Sequence, residues 1–300
     1  MKCNCPHCAA SASIYIQATD LNHQVSISLF NYFLCKNCKL LFVHPIPQDL
    51  SKYYDSTYPP YRIPSSLNEL KTSANHVSWR VDLVKQYVTL GRVLEIGPSY
   101  GAFAYAATQS GFLVDAIEMD GNCCEFINNN ITGAKAFHTN NVVEGMSRLE
   151  NQYEAIVLWH NLEHLIDPWA VLEESARHLA FDGVLVISTP NPDSLQFKIF
   201  KKYWVHLDAP RHLAFLPRSA VTKFLSGRGM ELVFSTTTDP DGVSLNKMGW
   251  GMSLTHVLGT SQSNVLRKVL STLLNIIMIP IERWGQYGAA YTVIFRKINQ

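Results

Sequence analysis

Two nucleotide-binding fingerprints are missing from this chain. Neither the dinucleotide pattern G-x-G-x-x-G nor the phosphate-cradling G-x-x-x-x-G-K-[ST] is present at its glycine-containing loop. Charge is also scarce. Charged residues make up 16% of the chain, and 25 basic against 24 acidic side chains leave a net charge of +1. Without a basic stripe, nucleic acid is not expected as a partner. Val269–Ile281 runs uncharged for 13 residues, short of the about 20 that a membrane span needs. Internal repeats and low-complexity tracts are absent, which excludes solenoids and collagen-like designs. No signal-peptide pattern is visible, so a cytoplasmic location is expected.

What is present is concentrated at residues 93–103, VLEIGPSYGAF. Val93 and Leu94 have strand character, Glu95 ends the strand, and Gly97 and Gly101 allow close backbone approach before a helix over Ala102–Ala107. In open α/β sheets, ligands bind at such a strand-to-helix edge. A carboxylate there disfavours a phosphate and suits a cationic or hydroxyl-rich ligand. The next segment, LVDAIEMD over 113–120, alternates and ends in Glu118 and Asp120. An acid one βα unit beyond a glycine turn commonly grips ribose hydroxyls, while the plainer alternative is a solvated strand end.

Residues 153–194 read YEAIVLWHNLEHLIDPWAVLEESARHLAFDGVLVISTPNPDS. The parse is a strand over Glu154–Trp159, a loop, a helix over Asp167–Ala180, a turn at Asp182-Gly183 and a strand over Val184–Thr189. Asp167 serves as N-cap and Pro168 sits at the first helical position. Strand, helix and strand make a βαβ unit.

These motifs together resemble the class I S-adenosylmethionine-dependent methyltransferases. VLEIGPSYG is similar to their first motif, hhE/DxGxGxG, and AIEMD to their second acidic motif. The order of strand, LEH, DP, helix, DG and STPN resembles the ubiquinone-methyltransferase-like branch. The resemblance implies a doubly wound, mostly parallel seven-stranded Rossmann-like α/β sheet. It implies S-adenosylmethionine over Gly97–Gly101, held by Glu95, Gly97, Ser99, Gly101, Glu118, Met119 and Trp159, and a small-molecule acceptor. Ser99 departs from the pattern by standing where glycine is commonest, yet it is small enough to keep the approach open.

His160, Glu163 and His164 also spell H-x-x-E-H, a zinc-peptidase pattern that requires both histidines on one helical face. The helix starts only at Asp167-Pro168, which argues against that chemistry. His160 and His164 remain catalytic candidates at the sheet edge. Each serves either as a general base or as a hydrogen-bonding pocket wall.

Five of the seven cysteines lie within the first 38 residues, and Cys5, Cys8, Cys35 and Cys38 form two C-x-x-C knuckles. Their spacing is that of a zinc ribbon occupying residues 1–43, with strands expected over Ser13–Ile16 and Val25–Leu34. The Zn²⁺ would be structural, because four thiolates leave no open position. Cys3 either replaces Cys5 as a ligand or stays free.

Residues 44–66, rich in Pro and Tyr, read as an irregular connector. Its Tyr53, Tyr54, Tyr58 and Tyr61 form either a lid over the cofactor or a solvated linker. The methyltransferase domain is expected over 67–300. It opens with an amphipathic helix over 67–90 bearing Val77, Val81, Val84, Val88 and Arg80. The loop YWVHLDAPRHLAF carries His206, Arg211 and His212. A comparable P-R-H segment caps the active site in the resembled family, which implies contact with the acceptor.

A helix over Pro217–Gly227 and strands over Met230–Thr236 and Ala290–Lys297 complete the domain, and an insertion at about 239–288 separates those strands. Its segment 265–284 is a core helix, a pocket cover, a dimer contact or a weak membrane-surface contact. The expected activity is methyl transfer to a sugar, glycan or lipid-linked precursor, with a quinone or phenol second. The alternative is a non-catalytic cofactor-binding scaffold.

Overall fold

The structure is a computed structural model that describes residues 2–54, 59–259 and 264–298. Tyr58 of the expected lid lies outside the described residues.

The chain begins with β1 (Lys2–Asn4), β2 (Ser11–Ala18), β3 (Phe30–Cys35) and β4 (Leu41–Val43), followed by α1 (Leu67–His76) and α2 (Ser78–Lys85). Next come β5 (Arg92–Ile96), α3 (Ala102–Gln109), β6 (Leu113–Glu118), α4 (Gly121–Asn130), β7 (Ala134–His138) and α5 (Val142–Ser147). The βαβ unit is β8 (Tyr153–Trp159), α6 (Pro168–His178) and β9 (Leu179–Pro190), followed by α7 (Leu195–Phe200) and β10 (Ala214–Phe215). The remainder is α8 (Arg218–Ser226), β11 (Met230–Thr236), α9 (Pro240–Leu258), α10 (Asn264–Gly285) and β12 (Ala290–Lys297).

The larger sheet has the order β11-β12-β9-β8-β5-β6-β7. Its five strands from β5 to β9 run parallel, and β12 is antiparallel to both of its neighbours. This is the expected seven-stranded, mostly parallel α/β sheet. Its central strands are buried on both faces, as their unbroken apolar runs require. The chain steps outward from β5 through β6 to β7, then returns to β8 on the other side of β5. That reversal opens a crevice outside the carboxyl ends of β5 and β8, where such sheets take ligands.

The smaller sheet, β1-β2-β3-β4-β10, draws its last strand from far downstream. Ala214 and Phe215 pair with Phe42 and Leu41, so the segment after the P-R-H loop closes the N-terminal sheet. The two sheets also share a core. Cys5, Cys35, Leu40 and Phe42 cluster with Leu162, Trp169 and Tyr291, and the His7 ring stacks on Trp169 at 3.7 Å.

Several boundaries differ from expectation. The helix expected over 67–90 is two helices, broken at Val77 (φ −105°) and ending at Lys85. Asn75, His76 and Val77 are weak helix formers in succession, and Ser66 and Val77 set the two starts. The strand expected from Val25 begins at Phe30. Asp20 instead turns the chain by accepting from the His23 and Val25 amides at 3.2 and 3.0 Å. The turn expected at Asp182-Gly183 is an irregularity inside β9, where Asp182 takes φ +64°.

The insertion folds as a helix pair. Asp239 caps α9 by accepting from the Gly242 amide at 2.7 Å, and buried Glu282 of α10 accepts from the Trp250 indole at 2.8 Å. Outward from α10 project Val269, Leu273, Ile276, Ile277 and Ile281, all exposed. Among the described residues no helix is long and apolar enough to cross a membrane.

Candidate functional site

The residues expected from the glycine turn gather at the carboxyl ends of β5 and β6. Gly97 has φ +72°, and a Cβ there would lie 2.0 Å from the Asn161 side-chain nitrogen. Gly101 has φ +87°, and a Cβ there would press on Ile127 and Ile131. Both positions therefore demand glycine for space as well as for backbone angle. Ser99 also takes a left-handed conformation, φ +56°. Its amide donates to Glu118 Oε2 at 2.9 Å, and its hydroxyl donates to the Pro60 carbonyl. Residues of the Tyr/Pro-rich connector thus touch the glycine turn.

Glu118, at the end of β6, accepts from the Met119 and Asp120 amides at 2.7 and 2.9 Å as well as from Ser99. A carboxylate offers about four lone-pair sites, so one remains open after these three bonds. Burial raises the Glu118 carboxyl above its ordinary range, and the three amides oppose that rise. Glu95 is 3% exposed, and burial pushes it up to about 8 against the pull of Arg80.

The unmet polar atoms are the main signal. Glu95 Oε2, Asn161 Oδ1, Trp159 Nε1 and Trp79 Nε1 are all buried without a hydrogen-bond partner. Asn161 abuts Gly97, and the Trp79 and Trp159 rings lie 5.7 Å apart. Leaving such groups unpaired costs about 1–3 kcal/mol each, so a ligand with both donors and acceptors fits here. The donor set suits S-adenosylmethionine: a carboxylate for a cationic or amine-bearing portion, and Glu118 for a diol.

Beyond Trp159, His160 adopts φ +53° and its amide donates to the Ser188 carbonyl at 2.8 Å. Its Nε2 lies 3.2 Å from Ser188 Oγ and 3.8 Å from Asp241 Oδ2. Burial and then Arg80 depress the His160 imidazole to about 4, so it is neutral at pH 7 and carries a lone pair. Arg80 rests 5.0 Å from the Trp159 ring centroid and donates through two nitrogens to Asp241 at 2.9 and 2.6 Å. Sequence reasoning left Arg80 without a role and missed Asp241, Asn161 and Trp79. The acids of the Asp239-Pro240-Asp241 helix start were the available signal for Asp241.

His164 faces elsewhere. Its Nδ1 is 3.0 Å from the Tyr54 hydroxyl and 3.2 Å from the Arg211 carbonyl, and burial depresses it to about 3. Residues 162–164 form a single 3₁₀ turn. The two histidines of H-x-x-E-H therefore do not share a helical face, as the helix start at Asp167-Pro168 led one to expect, and the peptidase reading fails on that geometry. A different trio does converge: donor atoms of Glu163, His164 and His212 lie within 4.8 Å of one another, a set a metal ion can use.

The loop residues expected to meet an acceptor are engaged with protein. Arg211, 1% exposed, donates to both Asp20 oxygens at 3.1 and 3.2 Å, to the Tyr53 carbonyl at 3.0 Å and to Asp208 at 3.4 Å. Its guanidinium ties the N-terminal sheet, the connector and this loop together. The acceptor contact expected of Arg211 is corrected accordingly. His206 Nε2 lies 3.0 Å from the Leu245 carbonyl, and His212 Nδ1 lies 2.8 Å from the His206 carbonyl. The His206 ring is buried against α9, and the His212 ring is partly buried within the loop.

At the far end, Cys5, Cys8, Cys35 and Cys38 converge with sulfurs within 4.8 Å of one another. The Cys5–Cys38 and Cys8–Cys35 separations are 3.6 and 3.5 Å. Four thiolates about 2.3 Å from a tetrahedral ion stand roughly 3.8 Å apart, so the cluster fits zinc. Cys3 is not in the cluster.

A family described as a methyltransferase domain matches residues 66–234. Among solved structures, the chain is similar to a candidate methyltransferase of Bacillus halodurans C-125, at 13% identity and TM-score 0.50, covering 74% of this chain and 99% of that one. It is also similar to a SAM-dependent methyltransferase of Archaeoglobus fulgidus (17% identity, 75% and 94% covered, TM-score 0.49). A third is a candidate sarcosine dimethylglycine methyltransferase of Galdieria sulphuraria (15% identity, 76% and 86% covered, TM-score 0.49). At these identities the likeness is one of fold. No curated protein matches the chain. With its parallel sheet, its glycine turn and a family match over more than half of its 300 residues, the chain belongs to the methyltransferase-domain family.

Proposed function

We propose that this chain transfers a methyl group from S-adenosylmethionine to a small-molecule acceptor, with a sugar, glycan or lipid-linked precursor as the leading class. The reading is carried by the buried, unpartnered polar atoms of Glu95, Asn161, Trp159 and Trp79, four of the eight such atoms among the described residues. Glu95, Gly97, Ser99, Gly101, Glu118, Met119 and Trp159 hold the cofactor. When bound, its sulfonium supplies an already activated methyl group, which leaves alignment as the main task of the protein. Glu118 accepts from the ribose hydroxyls and Glu95 faces the methionyl portion. His160, with a quarter of its side chain exposed, presents a neutral imidazole at the acceptor side. It takes the acceptor's proton where an oxygen or nitrogen is methylated. His164 positions the Tyr54 hydroxyl, and His206 and His212 hold the loop behind it.

Calorimetry with S-adenosylhomocysteine, followed by transfer of labelled methyl to sugars, phenols and lipid-linked sugars, tests the reading. Binding is expected, and it is lost when Glu95 and Glu118 are both replaced by alanine in a folded sample. No binding by the unaltered chain sinks the proposal. Binding without turnover on any acceptor favours the scaffold alternative.

We also propose that Cys5, Cys8, Cys35 and Cys38 hold one structural Zn²⁺. Metal analysis of the purified chain should find zinc bound there, and Cys38→Ser should lose that equivalent with a drop in thermal stability. Retention of the full zinc content by that variant would remove the assignment.

A further inference from the structure

We propose that a cavity of about 220 Å³ beyond the carboxyl end of β9 is a second binding site, a seat for the phosphoryl group of a phosphorylated ligand. Its wall includes Asn191, Asp193, Lys198, Arg218, Gln286 and Tyr287. Among the described residues, no carboxylate lies within 4.0 Å of Lys198 or Arg218. The Arg218 side chain donates to the neutral Ser235 hydroxyl at 2.7 Å, and the Lys198 ammonium stands 4.8 Å from the Tyr287 ring centroid. Arg218 is also the first residue of α8, where the helix dipole opposes a cation. Two cations on one wall without counter-ions call for an anion opposite them.

The remaining chemistry agrees with a phosphoryl group. Gln286 Oε1 accepts from Ser235 Oγ at 3.1 Å, which leaves the Gln286 amide nitrogen as a donor. Asp193 is the one carboxylate in the wall, so donors outnumber acceptors. A guanidinium and an ammonium suit a multiply charged oxyanion, with Arg supplying the fork. The cavity lies on the Tyr291 face of the sheet, opposite the Ser188–Thr292 face that meets His160, so the seat is separate from the candidate methyl-transfer site.

The test uses the full chain, with inorganic pyrophosphate as probe, by calorimetry. Saturable binding is expected, weakened about tenfold by Arg218→Gln and about threefold by Lys198→Gln at an exposed position. Both variants should bind S-adenosylhomocysteine like the unaltered chain. Equal pyrophosphate binding by both variants, or none by the unaltered chain up to about 10 mM, overturns the inference. If S-adenosylhomocysteine still binds in that case, the methyltransferase reading survives. Pyrophosphate binding without S-adenosylhomocysteine binding sinks that reading instead. Uridine diphosphate and phosphatidic acid vesicles then separate a nucleotide-borne phosphate from a lipid-borne one. Arg218-dependent binding of either supports the seat, and of neither overturns it.

Discussion

The glycine turn at the end of β5 and the knot around Arg211 are both buried, polar and rich in charge, yet their hydrogen bonding is opposite. At the knot, every nitrogen of Arg211 meets an acceptor: both oxygens of Asp20, the Tyr53 carbonyl and Asp208. At the turn, Glu95, Asn161, Trp159 and Trp79 each keep a buried polar atom with no partner. A saturated buried network holds a structure together, because each member is satisfied only while all the elements stay docked. An unsaturated one is a standing cost that a ligand relieves. Charge and burial alone do not separate the two kinds of site. Between these two regions, the unmet atoms do, although four more lie elsewhere, on Trp169, Gln196, Trp204 and Arg296.

The largest expected effect lies at the knot. Arg211→Ala leaves Asp20 buried and unpaired, and breaking such a pair costs about 3–5 kcal/mol. Urea unfolding should show that loss, while S-adenosylhomocysteine affinity, measured where the variant is still folded, stays close to that of the unaltered chain. A large loss of affinity with unchanged stability would erase the contrast between the regions. Next comes Gly97→Ala, whose new methyl would lie 2.0 Å from the Asn161 side chain at a φ of +72°. Calorimetry should record a roughly 100-fold loss of cofactor affinity, about 2.7 kcal/mol. Unaltered affinity would show that the turn does not approach the ligand.

The pH dependence sharpens the same comparison. Glu95 is raised to about 8, so in the ligand-free protein it stays protonated from its ordinary range near 4.5 up to that value. The native state then binds more protons than the unfolded chain, and this group's contribution to stability falls as pH rises across that window. A sulfonium favours the ionised carboxylate and expels the proton, so S-adenosylmethionine should bind more tightly as pH rises, levelling off above about 8. The slope approaches tenfold per pH unit for one linked proton. Glu163 is also raised to about 8, and the neutral thioether S-adenosylhomocysteine controls for it. Glu95→Gln should flatten the difference between the two ligands; a difference that persists would assign the proton elsewhere. The smallest effect belongs to Asp241→Asn. Its ion pair with Arg80 is partly exposed and worth about 1 kcal/mol or less, so cofactor affinity should shift by less than about fivefold. A shift of 100-fold would make the insertion helix part of the cofactor site proper.

Much of the fold was legible because its signals are local. The apolar runs of β5, β8 and β9, the Asp167-Pro168 helix start and the paired cysteine knuckles each depend on neighbours within a few residues. The strands over Met230–Thr236 and Ala290–Lys297 were placed at their observed limits, the second of them a continuous buried run. The break at Val77 was less visible, since the valine stripe continues through it while the backbone does not. The roles of polar residues were harder to read. Arg211 looked like an acceptor ligand because a polar loop with His206 and His212 suggests one. Its true partner, Asp20, stands 191 residues earlier in the chain.

By itself, the amino-acid order determined the central strands and helices around the glycine turn, where glycine is obligatory, and that four thiols come in two pairs. Those properties follow from backbone sterics, hydrophobic period and short-range spacing. Only the tertiary structure decided that β10 would close the N-terminal sheet. The same holds for Asp241 reaching Arg80 from an insertion, and for Arg211 being saturated while Glu95 is not. Each of these depends on which groups meet after the chain has closed loops of a hundred residues or more. Pairing of that kind leaves no periodic trace along the sequence.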